Sequence, residues 1–383
     1  MNHSSRIELN PKALRRNLRF IRKQLPEATR YCSVVKGNAY GHGIEEFIPI
    51  AEQAGVDYFA VYNSHEAYRV FLAADNEPDI MVMGYIDNAD LDWAIEHGIE
   101  FFVFEPDRLS VAAEKARQSG KKARIHLEIE TGMNRTGFDL PQLEAVVPLL
   151  LEFENSLEIM GICTHFAGAE SIGNYVRIQQ QKEVYEQACN LLQENNIKPH
   201  YRHVNCSAGM IRYPEMNLDL VRVGILQYGF WPSMETFIEY SQPLENKDNP
   251  LKRLITWKTQ VMSTKEVMKG EYIGYGTTYL AQKRMMIAIA PVGYAHGYSR
   301  ILSNQGRVLV QGRRCPVVGI VNMNAIAIDI TNCKNVQKGE EVMLIGRQGT
   351  HTLSVASFGE LSNQLNYELL TRLPMDIPRY VIN

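Results

Sequence analysis

Three groups able to do chemistry fall close together in "YCSVVKGNAYGHG", residues 31–43: the ammonium of Lys36, the phenol of Tyr40 and the imidazole of His42. A short apolar run ends on the lysine, and a glycine-containing turn follows at once. A lysine held where an apolar strand ends loses hydration, so its ammonium is disfavoured and its pKa falls. Such an amine is suited to forming a Schiff base with a carbonyl. Taken singly, Lys36 reads equally well as a strand-end lysine whose stem covers apolar surface while its head stays in water.

Further groups of the same kind follow along the chain: Glu128, Arg135, His165, Ser207 and Arg222, with Gly224 and Ile225 beside the last. What joins them is the rhythm of the first 230 or so residues. Strand-like runs occur at "YCSVVK", "YFAVYN", "DIMVMG", "EFFVFE", "ARIHLEIE", "EIMGICTHF", "YRHVNCS" and "LVRVGILQYG". Between them lie helix-period segments such as "IEEFIPIAEQA", "SHEAYRVFLAA", "PDRLSVAAEKARQ", "PQLEAVVPLLLEF" and "NYVRIQQQKEVYEQACNLLQE". Repeated alternation with continuous apolar strands predicts parallel α/β architecture, and a count of eight favours a closed (β/α)8 TIM-type barrel. A doubly wound open sheet competes, but it would want a G-x-G-x-x-G turn after the first strand, and none is present.

In such a barrel chemistry gathers at the C-terminal ends of the strands. Those ends carry Lys36, then Glu128 with Arg135, then His165, Ser207, and finally Arg222 with Gly224. His165 alone would read as a satisfied core histidine; the shared placement with a lysine and two arginines argues for a site. A phosphorylated aldehyde cofactor would need hydroxyls and backbone N–H donors near the amine. Ser207, the amides of Gly224 and Ile225, and the Tyr40 phenol supply them, so pyridoxal phosphate (PLP) chemistry is the reading. A P-loop is the rival phosphate motif, but "KGNAYGHG" places its lysine before the glycines.

The texture changes near residue 243. After the turn cluster "NKDNP" come "LITWKTQVMSTKEV", "RMMIAIAPVGY", "GRVLVQG", "CPVVGIVNMNAIAIDI" and "EEVMLIG", strand-like and separated by glycine turns. The expected organisation is a barrel over 8–242 and a mainly antiparallel β domain over 243–383. The early "RIELN" strand, within 1–10, can join either one.

Composition excludes several functions. The chain is 45% hydrophobic and 22% charged, ordinary for a globular protein with a sizeable core. A net charge of −3 gives no field for nucleic acid or anionic membrane. No apolar run approaches the roughly 18 residues that cross a bilayer, and "MNHSSRIELN" has no signal-peptide core. Six scattered cysteines without a C-x-x-C pair predict neither a zinc site nor a disulfide framework, no metal, and a cytoplasmic location.

Several segments, in order, resemble the PLP-dependent alanine racemase family over nearly the whole chain. "VVKGNAYGHG" resembles the PLP-lysine motif, which makes Lys36 the Schiff-base residue. "TGMNRTGF" is similar to the segment whose arginine, here Arg135, meets the cofactor's phenolic oxygen and the substrate carboxylate. "THFAG" supplies His165, and "LVRVGI" supplies Arg222 facing the pyridine nitrogen. In the second domain "IGYGTTY" resembles the segment of the catalytic tyrosine, Tyr275. "PVGYAHGY" gives Tyr294 at the active-site entrance and "VNMNA" gives Met323. The resemblance implies a homodimer in which Tyr275 and Met323 enter the neighbouring subunit's site. It implies interconversion of L- and D-alanine by two bases, Lys36 on one face and Tyr275 on the other, feeding D-amino acid to cell-wall peptidoglycan. A free phenol has a pKa of about 10, so Tyr275 would rely on His165, itself positioned by Arg222.

The chain departs from the family pattern at definite places. Glu128 stands where many relatives carry a carbamylated lysine, and Ile320 and Asn324 replace arginine and aspartate. Glu170, Cys206, His296 and Met375 are further changes around the expected substrate corridor. Racemisation of serine, or of a broader range including lysine and arginine, is therefore the alternative substrate reading. Among other classes, a PLP amino-acid decarboxylase would lack the "GYGTTY" tyrosine, and a non-catalytic PLP-binding barrel would lack the second domain.

Overall fold

The computed structural model describes residues 3–355 and 366–382. The chain forms two compact units, one of residues 13–39 and 47–252, the other of residues 1–12, 40–46 and 253–383.

The strands run in chain order from β1 (Ser5–Leu9), which belongs to the second unit, to β2 (Arg30–Val34), β3 (Tyr58–Asn63), β4 (Asp79–Tyr85) and β5 (Glu100–Val103). Then come β6 (Ala123–Glu128), β7 (Leu157–Cys163), β8 (Tyr201–His203) and β9 (Leu220–Val223). Strands β2 to β9 form one parallel sheet in the order β8-β7-β6-β5-β4-β3-β2-β9. The seam between β8 and β9 is bridged by backbone hydrogen bonds, from Asp219 N to Arg202 O (3.1 Å) and from Arg222 N to Asn205 O (3.1 Å). The sheet is thus the expected TIM-type barrel. All eight predicted strand runs are present, because strands covered on both faces read as near-continuous apolar segments; β5 is buried throughout.

The helices between the strands each bury one stripe. In Leu140–Glu152 that stripe is Leu143, Val146, Val147 and Leu150, the spacing of a single helical face. Its start is set by a capping box, with Asp139 accepting from Gln142 N and the Gln142 side chain returning to the Asp139 amide. Ser64–Ala73 is started by Asn63, whose side chain accepts from Glu66 N. Short helices at Leu91–Glu96, Ser207–Arg212 and Met234–Ser241 carry too few turns for a periodic signal and were not expected from the sequence.

The second unit is β-rich. Its strands are β10 (Ile255–Gln260), β11 (Ser263–Val267), β12 (Met285–Ala290), β13 (Arg307–Val310), β14 (Arg313–Val318), β15 (Ile326–Asp329), β16 (Glu341–Gln348), β17 (His351–Leu353) and β18 (Arg379–Val381). Among the described residues they form a mainly antiparallel sheet with β1, in the order β11-β12-β15-β14-β13-β16-β10-β1-β18, with β17 on β16. The early strand therefore joins this unit: β1 pairs antiparallel with β10 and parallel with β18. The run "CPVVGIVNMNAIAIDI" is not one strand but β14 and β15 separated by a loop at 319–325. The barrel unit continues past the expected boundary at 243 and the turn cluster at 246–250 as far as Lys252. Asn17 holds that segment, donating to Lys252 O (2.7 Å) and accepting from Lys252 N (2.8 Å).

Candidate active site

Lys36 lies two residues beyond the end of β2, and the five residues Lys36–Tyr40 turn in an unexpected way. Gly37, Asn38 and Ala39 have φ of 63°, 57° and 52°, and Tyr40 follows at 51°, so the chain makes a left-handed turn. Left-handed backbone costs an L-residue about 1–2 kcal/mol, so neighbours must hold it. Ala39 N donates to Val35 O (2.7 Å). Buried Glu66 accepts from Asn38 N with one oxygen (3.1 Å) and from Tyr62 N with the other (3.1 Å). Arg69 donates to Asn38 Oδ1 at 2.7 Å. Glycine and asparagine hint at such a turn; nothing in the sequence assigns it to alanine and tyrosine.

Around Lys36 the strand ends bring the other barrel candidates together. Lys36 opens to solvent, but surrounding protein desolvates its ammonium, and Arg135 and Arg222 repel it, so its pKa is lowered. His165, just after β7, is pushed down to about 3 by burial and then by the charges of Arg222, Arg135 and Lys36. It is therefore a neutral imidazole at physiological pH. Ser207 begins the helix after β8, and its Oγ accepts from Gly224 N at 3.0 Å, joining it to the turn that leads into Ile225.

Arg222, buried on β9, is the most constrained of these groups. Its Nη1 donates to the ring Nδ1 of His203 and to His203 O (3.1 Å). Its Nη2 donates to Thr164 O (2.7 Å) and Val204 O (3.4 Å). A guanidinium has five N–H donors, and these contacts use the four on Nη1 and Nη2. Among the described residues, Nε–H is left without a protein acceptor.

Arg135 is presented by the loop after β6, which winds around Glu130. The Glu130 carboxylate accepts from the amides of Gly132 and Arg135. Desolvation would raise its pKa, but the amides of Asn134, Gly132, Arg135 and Met133 bring it below the ordinary value. Glu128 lies behind, with Oε1 3.7 Å from Arg135 Nη2 and Oε2 accepting from Thr136 Oγ1 at 2.8 Å. Burial raises the Glu128 pKa against the opposing pull of Thr136 and Arg135. The pair is an ion pair without a direct hydrogen bond.

The remaining candidates lie in the second unit. Tyr40 is in its 40–46 segment, where His42 is buried with ring Nδ1 3.0 Å from Tyr40 O. Tyr275 sits between Gly274 and Gly276, both at positive φ, and is 72% exposed. Tyr294 and Met323, 43% and 55% exposed, belong to adjoining loops: Tyr294 N donates to Asn322 O (3.0 Å) and Ala295 N to Met323 O (3.0 Å). Glycine at 293 permits that approach, since a Cβ there would lie 2.1 Å from Asn322 O. A cavity of about 150 Å³ beside this rim is lined by Tyr272, Ile273, Gly274, Ile320 and Asn322 among others. Asn324 and Met375 are exposed.

A lysine closing the first strand of an eightfold parallel barrel, among arginines and a neutral histidine, defines a barrel-type PLP enzyme with an appended β domain. The comparisons make this specific. Residues 9–232 match the family model "Alanine racemase, N-terminal domain" and residues 254–381 match "Alanine racemase, C-terminal domain". The alanine racemase of Symbiobacterium thermophilum is 34% identical over 375 residues, 98% of this chain and 95% of that protein. The alanine racemase structure from Bacillus anthracis with bound L-Ala-P has a TM-score of 0.90 and 30% identity, covering 100% of this chain and 96% of that one. The Bartonella henselae alanine racemase with covalently bound PLP shares the fold, with a TM-score of 0.85 at 24% identity over 100% of both chains. The chain belongs to the alanine racemase family, an isomerase family that depends on PLP.

The residues present fit that cofactor. Lys36, Arg135 and Arg222 concentrate positive charge on one barrel mouth, each disfavouring the protonation of its neighbours. An anionic, phosphorylated pyridine would relieve that excess and offer an acceptor to the Arg222 Nε–H.

Proposed function

We propose that this chain interconverts L- and D-alanine with PLP held by Lys36, Tyr40, Arg135, His165, Ser207, Arg222, Gly224 and Ile225. The observation that carries this reading is the state of Arg222, whose Nη donors are all used by protein atoms while Nε–H remains for a ligand. When bound, PLP supplies an electron-withdrawing ring that acidifies the α-hydrogen of an attached amino acid. Arg222, a permanent cation and an obligate donor, keeps the acceptor it meets unprotonated. By denying that acceptor a proton, Arg222 would temper the electron withdrawal and favour return of the proton to the α-carbon over side reactions. Ser207 Oγ and the Ile225 amide would bind phosphate oxygens, with the Tyr40 phenol, while the Gly224 amide orients Ser207 by donating to its Oγ at 3.0 Å. Arg135 orients the substrate carboxylate, with Glu128 behind it.

Racemisation requires a proton to leave one face and another to arrive on the opposite face. Lys36 Nζ serves one face; its lowered pKa makes the neutral, accepting amine more available. Tyr275 Oη serves the other, exchanging its proton with neutral His165. Tyr275 and Met323 come from the second subunit of a homodimer, with Tyr294 at the entrance to the substrate corridor. The 72% exposure of Tyr275 supports this reading, since an isolated subunit leaves that acid–base group in water. The product, D-alanine, would be made in the cytoplasm for peptidoglycan.

The test is a panel of single enantiomers of alanine, serine, lysine and arginine, followed by loss of optical activity with and without added PLP. Alanine should racemise fastest and only with PLP present. Faster racemisation of serine, lysine or arginine would overturn the substrate assignment, and turnover unaffected by PLP removal would overturn the mechanism.

A further inference from the structure

Beneath Arg222 the barrel encloses polar groups that no step above employs. Glu100 on β5, His126 on β6 and His203 on β8 are each completely buried. His203 Nε2 lies 2.9 Å from His126 Nδ1, and His126 Nε2 lies 2.7 Å from Glu100 Oε2. Tyr58 donates its hydroxyl to the same Glu100 oxygen, and Arg124 Nη2 is 2.8 Å from Oε1. Arg124 continues to Asp79 (2.9 Å), which also meets Arg30 (2.8 Å). The two imidazoles belong to strands separated by β7, and they meet because position 161 is glycine. A Cβ there would stand 2.3 Å from His126 Nδ1 and 2.8 Å from His203 Nε2.

The chemistry of the first member fixes the direction of every bond. A guanidinium can only donate, so His203 Nδ1 must accept and its single proton must sit on Nε2. That N–H donates to His126 Nδ1, which places the proton of His126 on Nε2, facing the Glu100 carboxylate. Protonating either ring would set two donors against each other. Burial, then the charges of Arg222 and His126, hold the His203 pKa well below the ordinary range, in agreement with this order.

We propose that His126 and Glu100 are positioning residues for Arg222, an ordered donor chain that holds the guanidinium so that Nε–H faces the barrel mouth. Without His126, His203 Nε2–H loses its acceptor in a water-excluded interior and can exchange tautomers. A proton moved to Nδ1 would then repel Arg222 and release it. The proposal rests on the assignment of Arg222 to the PLP ring nitrogen.

The experiment compares His126→Leu, His126→Gln and Glu100→Gln, with histidine tautomers read by NMR in 15N-histidine-labelled native enzyme. A glutamine at 126 can accept from His203 and donate to Glu100, so it reproduces both functions of the ring. The native enzyme should show both histidines neutral with protons on Nε2. His126→Leu should weaken PLP binding about tenfold by absorbance titration and raise the ratio of transamination to racemisation by a similar factor. His126→Gln should restore both to within about twofold. Glu100→Gln should fall between them, and it carries the comparison if His126→Leu does not fold. An Nδ1 proton on His203, or a folded His126→Leu with native PLP affinity and native reaction ratio, overturns the proposal. Failure of the underlying racemase reading looks different: the unmodified enzyme itself would neither take up PLP nor racemise alanine.

Discussion

Arg222 at the barrel mouth has both Nη groups fixed by carbonyls and an imidazole, whereas Tyr275 in the β domain is 72% exposed, its hydroxyl without a partner among the described residues. The same contrast separates the other candidates. Lys36 rises from a left-handed turn pinned by Glu66 and Arg69, and Ser207 is joined to Gly224. Among the described residues, Tyr294 and Met323 are hydrogen-bonded through their backbone, and their side chains are exposed. A closed barrel can pre-organise charged groups because its interior excludes water and makes unpaired polar atoms costly. A loop rim open to water has no such means, and in the proposed dimer the second subunit would supply that order.

The largest expected effect tests the pre-organised half. Lys36→Ala should lower racemisation by at least about 10⁴-fold, the upper end of what one acid–base group supplies. Borohydride reduction of the parent enzyme should fix PLP on Lys36 by mass spectrometry; label on another lysine would move the site. Next comes the exposed half: Tyr275→Phe should cost about 10²–10⁴-fold in rate while PLP affinity stays native. Exchanging subunits between inactive Lys36→Ala and Tyr275→Phe enzymes should restore activity, because one intact composite site forms per heterodimer. No recovery despite proven exchange would mean that each chain builds its own site.

A pH experiment sharpens the contrast further. His165 titrates at about 3 in the folded protein and near 6.5 when unfolded, so between those values the unfolded chain binds the additional proton. Its contribution to stability is therefore present above about pH 6.5 and is lost as pH falls toward 3, with a slope of at most about 1.4 kcal/mol per pH unit. Urea unfolding should follow that sign, and His165→Gln should flatten part of the slope. The smallest effect concerns Glu128. Its 3.7 Å pair joins a buried carboxylate to an Arg135 side chain that is 55% exposed, so the interaction is worth on the order of 1 kcal/mol. Glu128→Gln should raise KM for alanine about fivefold with little change in kcat. Added bicarbonate should leave the unmodified enzyme unaffected, since Glu128 needs no carbon dioxide to become an anion. An unchanged KM in the variant would detach Glu128 from substrate binding.

Periodicity carried the barrel, because eight strands covered on both faces must each be written as an apolar run, and amphipathic helices must alternate with them. Order along the chain then brought Lys36, His165, Ser207 and Arg222 to one end of a parallel sheet, since every strand of such a barrel points the same way. The family resemblance also rested on local words, "KGNAYGHG" and "GYGTTY", that survive without knowledge of contacts. What local words could not express was decided by tertiary structure. "RIELN" carries no mark of its partner, and only its pairing with β10 and β18 assigned it to the β unit. Alanine and tyrosine in a left-handed turn are tolerated because Glu66 and its neighbours hold the turn from 28 residues away. His126 and His203 are 77 residues apart, and a glycine on the strand between them lets their rings meet. Hydrogen-bond partners are chosen in space, where removal from water makes each unpaired donor expensive. A sequence records the residues that can pair, but folding brings the pairs together.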